Sequence, residues 1–523
     1  MSLRRSAARM LVKAAVSLVR KEAASPAFDT TGTGVRLKGW TPSGAHINTL
    51  LTGSGATLRR QSRDLVRRDP YAGNALDKYV TNAIGTGIRP RSTHPDEGVR
   101  SAVNELWKRF ADEADADGLT NIYGLQGLGL RSMLEGGDGF GRLRDRLPED
   151  GLAVPFQIQL MESEMVPLDL TRSLGAGVIR SGVEYDAIGR RVAYHVLPYH
   201  PEDTAATGLG AGLPVRVPAD RMLHLFRPLR PGQVRGVVQL ASVMLRLYEL
   251  DQVEDATVNK QKLGQYLTGF IRKVLGESGA AGAGSILGGD ADTDDEATEI
   301  VKLTPGTFLT LNSGEEVSFF DAPDIGAGTG DFIKEMKRAI AAGAGVTYEQ
   351  LTGDLSQVNY SSIRAGLLEF RRQVEQFQTC FFIFQFCRPI WRKFIETAVL
   401  TGALPVRDYA ANRHLYLGAR WVPQGFKWVD PVKEVTGLIL AIRAGLVSRT
   451  EAIQMSGYDP EVIDAQLQED NARADAHGLV LDSNPKHTSK AGVTNARPDG
   501  TAFVDAVSDP NAGMATDGED AAA

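Results

Sequence analysis

From Val237 to Leu263 the chain runs without a glycine or a proline, and Leu240, Val243, Met244, Leu247 and Tyr248 form an apolar stripe along it. The stretch predicts one helix, about 40 Å long at 1.5 Å per residue. That rod divides the sequence. Ahead of it, Val99, Val103, Leu106, Trp107 and Phe110 recur at helical spacing. Val154, Phe156, Ile158 and Leu160 then alternate, as do Val192, Tyr194 and Val196. The change of period predicts an α+β domain with a small mixed sheet, completed by segments near 140–146, 178–185 and 222–226.

Local signals place the remaining elements. Residues 56–68 read as an arginine-rich helix. Asp69-Pro70 opens the next one, because an aspartate caps free amides and a proline fits the first turn. Gly85 and Gly87 close it, and a further helix spans Ile122 to Leu134. Beyond the rod, residues 276–298 are rich in Gly, Ala and Asp and predict a mobile loop. A β-like piece covers 301–320, and a helix with Phe332, Ile333, Met336 and Ile340 on one side covers 331–342. Another long helix runs from Ser361 toward Phe386 and bends at Arg388-Pro389. Asp430-Pro431, Ser448 with Glu451, and Asp459-Pro460 open three short helices between 431 and 469. Past Asp470 the chain is polar, poor in aromatics and expected to be disordered.

Charge placement narrows the function classes. The net charge is −6, and from Asp470 onward nine acids face four bases, so the rest of the chain carries about one net negative charge. Proteins that grip nucleic acid carry a basic excess, because affinity comes from neutralising phosphates. Here DNA is either irrelevant or must slide past without being held. Cys380 and Cys387, seven apart among phenylalanines, are the only cysteines and are expected on one buried helical face. They suit a reducing compartment. No uncharged apolar run is long enough to span a bilayer. Lys13 interrupts the N-terminal apolar stretch, which argues against a secretory signal.

Catalytic signatures are missing. No Gly-Lys pair occurs, so no nucleotide-cradling loop can be built. Glu113, Asp115, Asp117 and Gly118 imitate a calcium loop, but its closing position falls on Gly124; Asp290, Asp292 and Asp294 fail in the same way. Both read as solvated loops. His195, His200 and His224 share the sheet region without diagnostic ligand spacing. They leave one alternative open, a cytosolic hydrolase or nuclease of unrecognised type.

Four segments carry a family resemblance: Leu58–Ala72 with Gly85–Ile88; Val217–Phe226 with Arg230–Gly236; Tyr348–Ser356 running into Asn359–Arg364; and Trp428–Glu434 with Gly445-Leu446. Together they resemble the lambda-type portal proteins of tailed bacteriophages. The resemblance implies a virion component assembled in the host cytoplasm: a ring of about twelve subunits at one capsid vertex. Double-stranded DNA would enter and leave through it, without sequence specificity. It implies partners in terminase, head-completion or adaptor proteins, and the major capsid or scaffold protein, with no catalysis, cofactor, metal or membrane.

Carried onto this sequence, the fold class is α+β and the arrangement is modular. An N-terminal arm covers 1–49, partly disordered, and a mixed α/β wing covers 50–235. A first stem helix follows at 236–263, a small clip at 264–325 containing the loop 276–298, and a second stem helix at 326–346. A tunnel loop and long wing helix fill 347–430, a helical crown 431–469, and a disordered acidic tail 470–523. Channel candidates are then Lys334, Lys337, Arg338, Gln357, Asn359, Ser361 and Arg364. Arg59, Arg60, Arg63, Arg67 and Arg68 are candidates for pairing with acids of a neighbouring subunit.

Overall fold

The computed structural model describes residues 42–203, 212–266, 270–273, 315–318, 328–356, 359–426, 430–479 and 481. Most of the expected arm and tail, the loop 276–298 and Gln357 lie outside these residues.

Helix α1 (Ile47–Arg68) ends at Asp69, whose carboxylate accepts the Tyr71 and Ala72 amides at 2.7 and 3.0 Å and opens α2 (Pro70–Ala83). Strand β1 (Arg89–Ser92) leads to α3 (Glu97–Glu113), capped by Asp96, and α4 (Ile122–Gly136), capped by Asn121. These starts fall where short polar side chains can satisfy the free amides of a first turn.

Two antiparallel sheets follow in place of the single mixed sheet expected. Strands β2 (Gly139–Asp145), β3 (Phe156–Met161) and β9 (Met222–Leu225) form a three-stranded sheet in the order β3-β2-β9. Strands β4 (Arg172–Ser173), β5 (Val178–Arg180), β6 (Val183–Tyr185), β7 (Arg191–Val196) and β8 (Val215–Pro218) make a five-stranded meander, and β9 (Met222–Leu225) returns to β2. Segment 178–185 is two strands because Ser181 and Gly182 both take positive φ, 48° and 79°, and close a two-residue hairpin turn.

Helix α5 (Met244–Tyr266) begins later than the glycine- and proline-free run, since 237–243 is turned chain that buries Leu240 and Val243. Strand β10 (Phe270–Lys273) pairs antiparallel with β11 (Glu315–Ser318). Then come α6 (Gly328–Ala344), the short α7 (Tyr348–Thr352) with a Thr347–Gln350 capping box, and α8 (Tyr360–Phe377). Helix α8 passes without a break into a π-helical segment, Gln378–Cys387, and on into α9 (Arg388–Leu400), with Pro389 in its first turn. Cys387 is buried but Cys380 is exposed, against the expectation of a shared face. The wider turn of a π-helix takes residues seven apart off a common side.

The last elements among the described residues are α10 (Tyr409–Leu417), β12 (Ala419–Val422), which pairs with β1, and the helices α11 (Pro431–Arg443), α12 (Arg449–Met455) and α13 (Pro460–Ala476). Helix α13 continues past Asp470, where the polar tail was expected to begin.

The main core joins α3, α4, β3 and the π–α9 helix. Phe110 stacks on Phe156 at 4.6 Å, and Trp107 meets Trp391 at 5.2 Å. A smaller core of Phe140, Val183, Tyr194, Val217 and Met222 fills the space between the two sheets.

Candidate functional site

Helices α5 and α6 lie antiparallel. Gly343 sits against Val243, and further along Lys337 reaches Glu254. Their bases are fixed in the core by Leu247, Leu250, Ile340, Ala341 and Ala344. Beyond Leu250 no described residue of α5 is buried, and its outer end leads toward the β10–β11 ladder. Leu245, Tyr248, Val258 and Phe332 are apolar yet exposed on this pair. Acids Glu249, Asp251, Glu254 and Asp255 lie between Arg246 and the pair Lys260 and Lys262, so α5 is not a cationic surface.

The channel candidates fall in different settings. Lys337 forms an ion pair with Glu254 at 2.9 Å, and its ammonium lies 4.6 Å from the Tyr71 ring centre. Burial opposes its charge, but hydrogen bonds to Tyr71 and Glu254 prevail and raise its pKa. Lys337 therefore ties α5, α6 and α2 together. Lys334 and Arg338, one turn apart, both lie over the Tyr348 ring, at 6.0 and 5.7 Å, and Arg338 also pairs with Glu335. Asn359 caps α8 by accepting the Ser362 amide at 2.8 Å. Ser361 lies in the first turn of α8, and Arg364 approaches Glu434 of α11 at 3.7 Å.

The arginines of α1 also divide. Arg59 faces inward and is 4% exposed, donating to Gly136 O and to Asp138. Arg63 bridges Glu162 and Glu164 at 2.9 and 2.8 Å. Arg67 and Arg68 are exposed and pair with Asp64 of their own helix, and Arg60 is exposed.

Asp138 is the polar centre that sequence reasoning missed. Its fully buried carboxylate accepts from Arg59 at 3.1 Å, Arg235 at 2.9 Å, Ser163 at 3.1 Å, His224 at 3.1 Å and the Gly236 amide at 2.6 Å. Arg235 donates further to the carbonyls of Ser163, Val166 and Ser181. Burial opposes ionisation of Asp138, but the Arg235 charge, the His224 hydrogen bond and Arg59 outweigh it and hold the carboxyl well below its ordinary range. Burial pushes His224 down to about 4 against the pull of Asp138, so the ring is neutral near pH 7. Its other nitrogen faces the Tyr194 hydroxyl and Arg191. The network joins α1, both sheets and the chain entering α5. The Gly137 and Gly236 backbones pass so closely that a Cβ on Gly236 would lie 1.8 Å from Gly137 O. Gly136-Gly137-Asp138-Gly139 was the available signal: an acid amid glycines where a helix stops.

Among the described residues the three histidines of the sheet region do not converge. His195 pairs with Glu184, His200 with Glu162, and His224 with Asp138, three separate places. Ser163 bonds to the Asp138 carboxylate rather than to the imidazole, and a carboxylate held that far below its ordinary range is too weak a base to activate it. Glu162, Glu164 and His200 are close enough to share a cation, but Arg63 already forms an ion pair with each carboxylate. Asp115 is buried rather than solvated, accepting the amides of Asp117, Leu119 and Thr120 within its own loop.

Residues 33–378 match the model of the family described as phage portal protein, lambda family. The chain belongs to that family. Its role is that of a phage capsid portal protein, structural rather than catalytic. It is 26% identical over 458 residues to the probable portal protein of Halomonas phage phiHAP-1, covering 85% of each chain. It is 23% identical to portal protein B of Escherichia phage lambda, covering 86% of this chain and 90% of that one. Among solved structures, a chain of the virion of a native gene transfer agent particle is similar at a TM-score of 0.42 and 15% identity, covering 78% of this chain and 94% of the other.

Proposed function

We propose that about twelve copies close into a ring at one capsid vertex, with α5 and α6 forming the stem around an axial bore for double-stranded DNA. The observation that carries this reading is the antiparallel pair itself. One side of its bases is locked in the core, while Leu245, Tyr248, Val258 and Phe332 are left in water in a lone subunit. Apolar side chains placed so gain by meeting a neighbouring copy.

In this reading 50–235 is the wing, 264–325 the clip that docks terminase and later the head-completion proteins, and 431–469 the crown. The capsid or scaffold protein surrounds the rim. Lys334, Arg338 and Arg364 edge the bore with Asn359 and Ser361, whereas Lys337 acts within the stem. Arg60, Arg67 and Arg68 are the arginines of α1 left at a surface where a neighbour's acids can reach them. The near-neutral body supports a conduit, since DNA slides where phosphates are not strongly neutralised. Native mass spectrometry of the purified protein is expected to show a closed ring of about twelve copies. A protein that stays a single subunit at every concentration overturns the proposal.

A further inference from the structure

Arg142 and Arg144 of β2, and Arg146 just beyond it, occupy alternate positions and leave one face of the sheet. The next alternate residue, Phe140, points into the small core between the sheets. Two of the three guanidiniums are held from β3: Arg144 Nε donates to Gln159 at 2.7 Å and Arg146 Nε to Gln157 at 2.8 Å. Gln157 is itself fixed, donating to the carbonyls of Glu113 and Asp115, each at 2.9 Å. Tethering through Nε leaves the terminal nitrogens available as a fork.

Among the described residues none of the three arginines forms an ion pair. Asp117 acts on Arg144 only through space, and residues 204–211 contain no acid. Three like charges in a row with no carboxylate in ion-pair contact repel one another, and an anionic partner relieves that repulsion. Beside the row, a cavity of about 180 Å³ opens between the two sheets, lined by Arg142 and Arg144 together with Met161, Met165, Val196 and Val215.

The spacing and the cavity choose between partners. Alternate residues on a strand repeat about every 7 Å, and an extended peptide alongside has the same repeat. Its alternate carboxylates then meet successive guanidiniums. A phosphate backbone matches the charge but has no apolar side chain for the cavity. We propose that Arg142, Arg144 and Arg146 dock an extended acidic segment of a partner protein, with one apolar side chain of that segment seated between the sheets.

The test uses the assembled full-length protein and a fluorescein-labelled peptide of sequence Leu-Thr-Asp-Thr-Asp-Thr-Asp, in which Leu shares the face of the three carboxylates, read by anisotropy. Binding is expected, and it should weaken with added salt. The R142Q/R144Q/R146Q variant is expected to bind at least about tenfold more weakly. Met165→Trp, which fills the cavity without changing charge, should weaken binding of this peptide but not of an analogue with Gly for Leu. An Asn-for-Asp peptide that binds equally, a triple variant that binds as well as the parent, or a short DNA duplex that binds more tightly each overturns the proposal. If the triple variant fails to fold, the comparison among peptide, Asn analogue and duplex on the parent protein still decides.

Discussion

Replacing Asp138 by asparagine keeps its shape but leaves Arg59 and Arg235 buried without the negative charge between them. Breaking a buried network by removing one partner costs about 3–5 kcal/mol. Asp138→Asn is therefore expected to lower stability sharply, a loss that denaturant melts at pH 7 will measure. His224 adds a pH dependence of defined sign. In the unfolded chain it takes up a proton near its ordinary pKa of 6.5, whereas in the fold it stays neutral down to about 4. Between those values the unfolded state binds more protons, so stability falls as pH is lowered through that window. His224→Gln should flatten the slope of stability against pH there. These roles were poorly legible because residue type does not reveal burial. Arg59 looks like its surface neighbours in the sequence, yet Asp138, more than seventy positions away, turns it inward.

At the scale of elements, Lys337 carries the clearest prediction. Lys337→Ala removes the Glu254 ion pair and the contact with the Tyr71 ring, at a cost of about 1 kcal/mol for a pair that is partly exposed. Melting temperature, compared with Glu254→Ala and the double variant, will separate the pair from simple loss of packing. Helix starts were legible at Asp69-Pro70, Asp430-Pro431 and Asp459-Pro460, because capping is a local event that short side chains announce. The start of α5 was not. Freedom from glycine and proline permits a helix, but Gly236 is held by Asp138 and 237–243 turns instead. The π-segment was equally hidden. Gln378 donates to Ala83 O and Gln385 accepts the Phe226 amide, tertiary contacts that fix the wider winding and that no periodicity announces.

For the whole molecule, the change of period from helix to strand and back gave the α+β layering, since each period states which face is buried. The partition into two antiparallel sheets was not visible, because strand patterns carry no record of their partners. Nor does the fold of one subunit contain its own closure. In the proposed ring the exposed apolar residues of α5 and α6 meet a second copy. The decisive measurement is a three-dimensional electron-microscopy map of the purified assembly. The account predicts a ring with an axial hole, residues 244–266 and 328–344 nearest the axis, and Lys337 still bonded to Glu254 of its own subunit. A ring with those two helices on its outer rim, or particles with no axial hole, would contradict it.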